Sequence, residues 1–155
     1  MAYPDELLES AISLVQVDPE TQANLRRAVS SEYYALFHLL IGEACNNWSR
    51  SEQRGRLARK FEHPRMRDAS KQCVDKYKSA ASGSAESHLF AVAHAFFQLQ
   101  EKRHTADYDL SKTFLYTEVA LDIYLVREAF EGWSKIKGEQ ISHDYLFSLL
   151  FKDKS

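Results

Sequence analysis

A chain of 155 residues, 45% apolar and 27% charged, is long enough to form one domain with its own core. Its five glycines and three prolines are too few for the many tight turns of a β-sandwich or barrel, and its net charge of −2 gives no overall pull toward nucleic acid. No apolar run is long enough to span a bilayer. Residues Met1–Glu6 have neither the basic start nor the apolar stretch of a signal peptide, so the expectation is a cytoplasmic protein with no membrane partner.

The predicted elements are all helical, and no stretch alternates with the period of a strand. Pro4 opens a first helix to about Val15, with Leu7, Leu8, Ala11, Ile12 and Val15 on one side. Asp18-Pro19 predicts the start of a long second helix to about Asn47. Its apolar stripe is Leu25, Val29, Tyr33, Leu36, Leu40 and Ala44, and a polar stripe of Arg27, Ser31, Tyr34 and His38 runs beside it. Residues 48–62 read as a polar, basic loop with a helical turn near Leu57–Phe61. Pro64 opens a third helix to about Tyr77, and Ser79–Ser84 is the clearest linker. A fourth helix is expected from about Ala85 to Arg103, then a short turn carrying Ala106-Asp107-Tyr108. The fifth starts near Asp109 or Ser111 and carries the stripe Leu115, Val119, Ile123, Val126, Phe130, Trp133. A short last helix spans about Ser142–Phe151. The expected architecture is an all-α, up-and-down four-helix bundle with short additional helices, one domain over residues 1–155 with its core at about 19–133.

Cys45 and Cys73 share no metal-ligand spacing and fall on apolar stripes, which predicts buried free thiols in a reducing compartment. No set of His and carboxylates shows a ligand spacing that stands out, so neither a metal nor another cofactor is expected. Charge is unevenly placed. Residues 50–78 hold ten Lys/Arg against four Asp/Glu, +6, which leaves −8 on the rest of the chain. That segment is either a basic face for phosphates or a solvated helix surface.

The densest chemistry lies in Arg103-His104-Thr105-Ala106-Asp107-Tyr108-Asp109. Arg103 continues the apolar stripe Leu89, Val92, Phe96, Leu99. A guanidinium on an inward face must find a partner, either a carboxylate such as Asp107 or an anionic ligand. A second segment, Leu25 to His38, contains Tyr33-Tyr34-Ala35-Leu36-Phe37-His38.

Together these segments resemble the HEPN superfamily, in particular its small stand-alone bacterial and archaeal members. The shared pattern is an Arg-rich start, a Tyr-Tyr-Ala-x-Phe-His helix, a histidine before the next helix (here His63) and an Arg-x-x-Ala-Asp-Tyr turn. The resemblance covers roughly residues 20–133. It implies a four-helix bundle that dimerises, and a role in toxin–antitoxin or defence systems. Its members include metal-independent endoribonucleases, nucleotide binders and noncatalytic partners of minimal nucleotidyltransferases. The family's ribonuclease motif is an arginine followed, after four to six residues, by a histidine. Arginine holds a phosphate as a planar fork, and histidine moves protons near neutral pH.

This chain departs from that motif, because none of positions 108–110 is histidine. His104 is adjacent to Arg103, and helix neighbours do not share a face. Tyr108 takes the nearest equivalent place, and a phenol of ordinary pKa about 10 is a poor base near pH 7. Three readings follow. The first is a noncatalytic or weakly catalytic nucleotide- or RNA-binding module. Arg103 holds phosphate there, Asp107 and Tyr108 shape the turn, and Tyr34, His38 and His63 line the pocket. The second is a metal-independent endoribonuclease in which His104 or His63 replaces the missing histidine beside Arg103. The third is a protein-binding partner of a nucleotidyltransferase or antitoxin, with Arg103–Asp107 a structural ion pair. A homodimer is expected in the first two.

Overall fold

The computed structural model describes residues 2–18 and 21–153, and among them all regular structure is helical. Seven α-helices follow in order: α1 (Tyr3–Val17), α2 (Gln22–Asn46), α3 (Arg54–Ala58), α4 (His63–Tyr77), α5 (Ala85–Tyr108), α6 (Tyr116–Ile136) and α7 (Gln140–Leu150). A 3-10 turn at Ser51–Gln53 precedes α3. Helix α5 lies at the centre, packed on α2, α4 and α6, while α1 covers α2 and α7 covers α4. None of the described helices is long and apolar enough to cross a membrane.

The expected stripes supply most of the core. Leu25, Val29, Tyr33, Leu36 and Leu40 of α2 are buried, as are Leu89, Val92, Phe96 and Leu99 of α5 and Val119, Val126 and Trp133 of α6. Cys45 and Cys73 are buried free thiols, and burial pushes the Cys73 thiol up to about 12. Gly83, at φ 81°, carries the turn in the linker before α5, a conformation open to glycine without steric penalty.

Helix boundaries differ from expectation in four places, one of them the start of α6, which lies at Tyr116 and not near Asp109 or Ser111. Pro19 lies outside the described residues; α2 begins at Gln22, and the Thr21 hydroxyl accepts from Asn24 N–H at 3.4 Å. The helical turn expected at Leu57–Phe61 comes earlier, as α3. The largest difference concerns Ala106-Asp107-Tyr108, which forms the last turn of α5 and not a connection after it. The helix ends at Asp109, whose carboxylate accepts from the Ser111 N–H (2.9 Å) and hydroxyl (2.6 Å) and so closes a local turn.

Residues 109–115 are therefore a loop, and α2 pins it. Arg26 donates to Ala106 O at 2.9 Å and, through its other terminal nitrogen, to Lys112 O. Gln22 exchanges both hydrogen bonds with the backbone of Phe114, at 2.8 and 2.9 Å. Phe114 is buried in the place expected of Leu115, which is exposed. Glu118, in the first turn of α6, accepts from Leu115 N–H at 3.0 Å and caps that helix.

A buried charge cluster joins α2, α5 and α6. Lys102 Nζ donates to Asp122 Oδ1 at 2.6 Å, and Asp122 is 1% exposed. Glu32 is wholly buried, and neither of its carboxyl oxygens has a hydrogen-bond partner. Burial, and then the charge of Asp122, hold the Glu32 carboxyl well above its ordinary 4.5, with Lys102 pulling the other way. Because its pKa is raised on folding, the folded protein binds more protons than the unfolded chain above pH 4.5. Stability from this group is thus full below that pH and declines as pH rises toward the folded value. Glu32→Gln cannot ionise. Its unfolding free energy, measured in urea across pH 5–9, is expected to fall less steeply with pH than that of the wild type. Parallel profiles would show that Glu32 is not the proton-binding group.

Candidate functional site

Arg103 sits inside α5, as its stripe predicted, and the extra turn that carries α5 on to Tyr108 places Asp107 on the helix beside it. It follows Leu99 by four residues on the inward face, and its side chain is 14% exposed. Its guanidinium lies over the rings of Tyr33 (5.1 Å) and Tyr34 (5.9 Å), a cation–π geometry. Among the described residues its one carboxylate partner is Asp107, at 3.5 Å, one turn along the helix. That distance is an ion pair but too long for a good hydrogen bond. Asp107 is held from the other side by the Ser30 hydroxyl of α2, which donates to its Oδ1 at 2.7 Å. The Nε–H of Arg103 is buried without a partner.

Arg103 forms one wall of a cavity of about 450 Å³, shared with Arg67, Gln100, Glu101, His104 and Thr105. Arg67 comes from the basic segment on α4; it stacks on Phe97 (4.8 Å) and pairs with Glu101 at 2.5 Å. Gln100 is buried, its amide donates to His63 O at 3.1 Å, and its Oε1 has no partner. The cavity therefore offers two guanidinium groups, one of them only loosely paired. A planar guanidinium fork binds two oxygens of an oxyanion such as phosphate.

An aromatic layer lies behind Arg103. The Tyr33 hydroxyl and His63 Nδ1 are 2.5 Å apart, and the His63 ring stacks on Phe37 at 4.6 Å. Burial raises the Tyr33 pKa well above the ordinary phenol, an effect that Arg103 reduces and Tyr34 adds to. Burial, and then Arg103, lower that of His63 below 6.5. With a protonated phenol and a neutral imidazole either group donates in this bond, according to the tautomer of His63. Tyr33→Phe removes this bond at a cost of about 1 kcal/mol. The His63 titration midpoint, followed by NMR, then identifies the donor: it rises on loss of a bond donated by Tyr33 and falls on loss of one donated by Nδ1. A midpoint that stays in place would show that no such bond forms.

The expected site residues thus divide into four sets. Arg103, Asp107, Tyr34 and His63 come together around the guanidinium. His38 lies further along the same aromatic layer, against Tyr34 (6.2 Å) and Tyr3 (5.0 Å); it makes ring contacts, no hydrogen bond, and burial lowers its pKa. Tyr108 is 69% exposed, packs only beside His104 (5.0 Å) and does not line the cavity. His104 lines it from the outer side. Of the basic segment only Arg67 joins the cavity; Arg65 instead donates to Ser148 O at 3.0 Å and ties α4 to α7.

Reading the sequence alone missed Tyr33, Gln100, Arg67 and Ser30 as members of the site. Among the described residues, no group of three or more His, Cys, Asp or Glu is placed to hold a metal ion. No protein-family model matches the chain, and no characterised protein or solved structure matches it significantly.

Proposed function

We propose that this chain is a HEPN-like module of a toxin–antitoxin or defence type that binds a phosphate group of a nucleotide or RNA in the Arg67–Arg103 cavity. It acts there as a binder and not as an efficient nuclease. The observation that carries this reading is the guanidinium of Arg103, mostly buried, incompletely paired and open to a cavity that also holds Arg67. A purely structural arginine would be expected to satisfy its donors within the protein. His63 supports binding over catalysis, because it is tied to Tyr33, stacked on Phe37 and absent from the cavity lining, out of reach of a bound phosphate.

One observation favours the nuclease as a second reading: His104 lines the same cavity as Arg103. A single set of measurements separates the two. Fluorescein-labelled single-stranded RNA, titrated with the protein in the presence of EDTA, is expected to bind saturably and stay intact. Unlabelled AMP is expected to compete with it and adenosine to fail. Cleavage that persists in EDTA and disappears in His104→Ala would establish the enzyme instead. Absence of binding by RNA, AMP and ATP would overturn both. Glu101→Gln releases Arg67 from its carboxylate, and its affinity for AMP is expected to rise.

A further inference from the structure

A trough of about 460 Å³ runs between α7 and the far end of α2, remote in sequence from Arg103. One wall is α7, with Phe147, Leu150 and Phe151; the other is Trp48 and Leu57. The large side chains are uncovered: Trp48 is 46% exposed, Phe147 59% and Phe151 52%. Phe147 and Phe151, one helical turn apart, pack on each other at 4.9 Å and continue the trough along α7. Isolated exposed apolar residues need no explanation, but a contiguous set in a concave surface marks a place where something docks.

The charge beside the trough narrows what that is. Trp48 and Leu57 also line the adjoining cleft, which carries Arg56 and Lys60. Both cations are exposed and form no ion pair. Arg54, by contrast, is turned back onto Trp48 O (2.9 Å) and Asn46 O (3.5 Å). None of the described residues lining either hollow is a carboxylate, and Asp144 of α7 lines the smaller cleft on that helix's other side. An apolar floor with unpaired cations on one rim complements an amphipathic segment whose polar flank is acidic. The α7 side of the lining runs from His143 to Phe151, about 12 Å at 1.5 Å per residue, so the trough accepts about two turns of a second helix. The aliphatic floor of Ala44, Leu146 and Leu150 favours a helix's apolar anchors, whereas a single-stranded nucleic acid would use only the exposed rings of Trp48, Phe147 and Phe151.

We propose that this trough docks an acidic amphipathic helix of a partner protein, with apolar anchors three and four residues apart in the trough and carboxylates against Arg56 and Lys60. This surface is independent of the phosphate site.

Two synthetic fluorescein-labelled peptides test it on the intact protein. They share Leu and Phe anchors at helical spacing, and one carries Glu and the other Lys at the flanking positions. The Glu peptide is expected to bind saturably, more weakly as salt is added, and about tenfold more weakly to Phe147→Glu. Arg56→Glu combined with Lys60→Glu is expected to weaken it several-fold, and the Lys peptide to bind poorly to the wild type. Phe147 is exposed, so its substitution leaves the core intact, and an unchanged circular-dichroism melt verifies this. No binding by either peptide, or equal binding by both, overturns the proposal. So does displacement of the Glu peptide by single-stranded RNA or by anionic phosphatidylserine vesicles. Concentration-dependent self-association that Phe147→Glu abolishes would assign the trough to a second copy of the chain instead.

Discussion

Lys102→Met is expected to lower the unfolding free energy by about 3–5 kcal/mol at pH 7, one of the two largest effects anticipated for a single substitution in this protein. Lys102 is the only cation bonded to Asp122 among the described residues, and Asp122 lies beside the wholly buried Glu32. Methionine fills a similar volume, so the loss comes from an uncompensated buried carboxylate and not from a cavity. Burial already raises the Asp122 pKa, and the Lys102 bond and charge counter it. Without the lysine the folded pKa rises further, and stability above the unfolded value of 3.8 falls with pH. The deficit is therefore expected to shrink at pH 5. Adding Asp122→Leu removes the stranded charge and should recover most of the loss. Urea unfolding of the single and double variants at pH 5 and pH 7 checks all three statements. A single variant within about 0.5 kcal/mol of wild type at pH 7 would mean the cluster is solvated in solution.

Arg103→Ala carries the largest expected effect on function. Hydrogen bonds between charged groups contribute about 1.5–3 kcal/mol, so losing the guanidinium should weaken AMP binding by roughly ten- to a hundredfold. The effect on folding should be smaller, about 1–2 kcal/mol, chiefly from the lost contact with Tyr33 and Tyr34. Asp107 tolerates the change, because Ser30 still bonds it and it is partly exposed. Arg103→Lys keeps the charge but not the planar fork, and is expected to fall between wild type and alanine. The split between affinity and stability is the diagnostic. If alanine unfolds the protein, Arg103 is a structural pin and the protein-partner reading gains. If alanine leaves both affinity and stability unchanged, the site lies elsewhere.

The apolar periodicity made the helices and most of the core legible in the sequence. It also placed Arg103 on an inward stripe, where the structure has it. It misled at the end of α5, because Thr105, Asp107 and Tyr108 look like a turn. Their helical state is set from outside, by Arg26 bonding Ala106 O and Ser30 bonding Asp107, contacts that span about eighty positions and leave no local signature. Tyr33 illustrates a different limit. Its stripe correctly marked it as buried, but burial said nothing of its hydroxyl, whose partner His63 is thirty residues away. Glu32 could have been found. It lies three residues after Val29 and four before Leu36, and Asp122 stands in the same relation to Val119 and Val126. Two carboxylates on apolar stripes are a readable warning of a buried charge cluster. Spacing pointed to Leu115, four residues before Val119, but α6 begins only at Tyr116, and the two Gln22 bonds to the Phe114 backbone fix the loop with Phe114 inward.

The claim that Arg103 waits for an anion is tested most directly on its own Nε–H. In ¹⁵N-labelled protein this proton gives a resolvable arginine resonance, assignable through its absence in Arg103→Lys. Titration with AMP is expected to shift it saturably together with that of Arg67, and titration with adenosine to leave both in place. An Arg103 Nε–H resonance that AMP does not move, in protein that remains folded, would contradict the account.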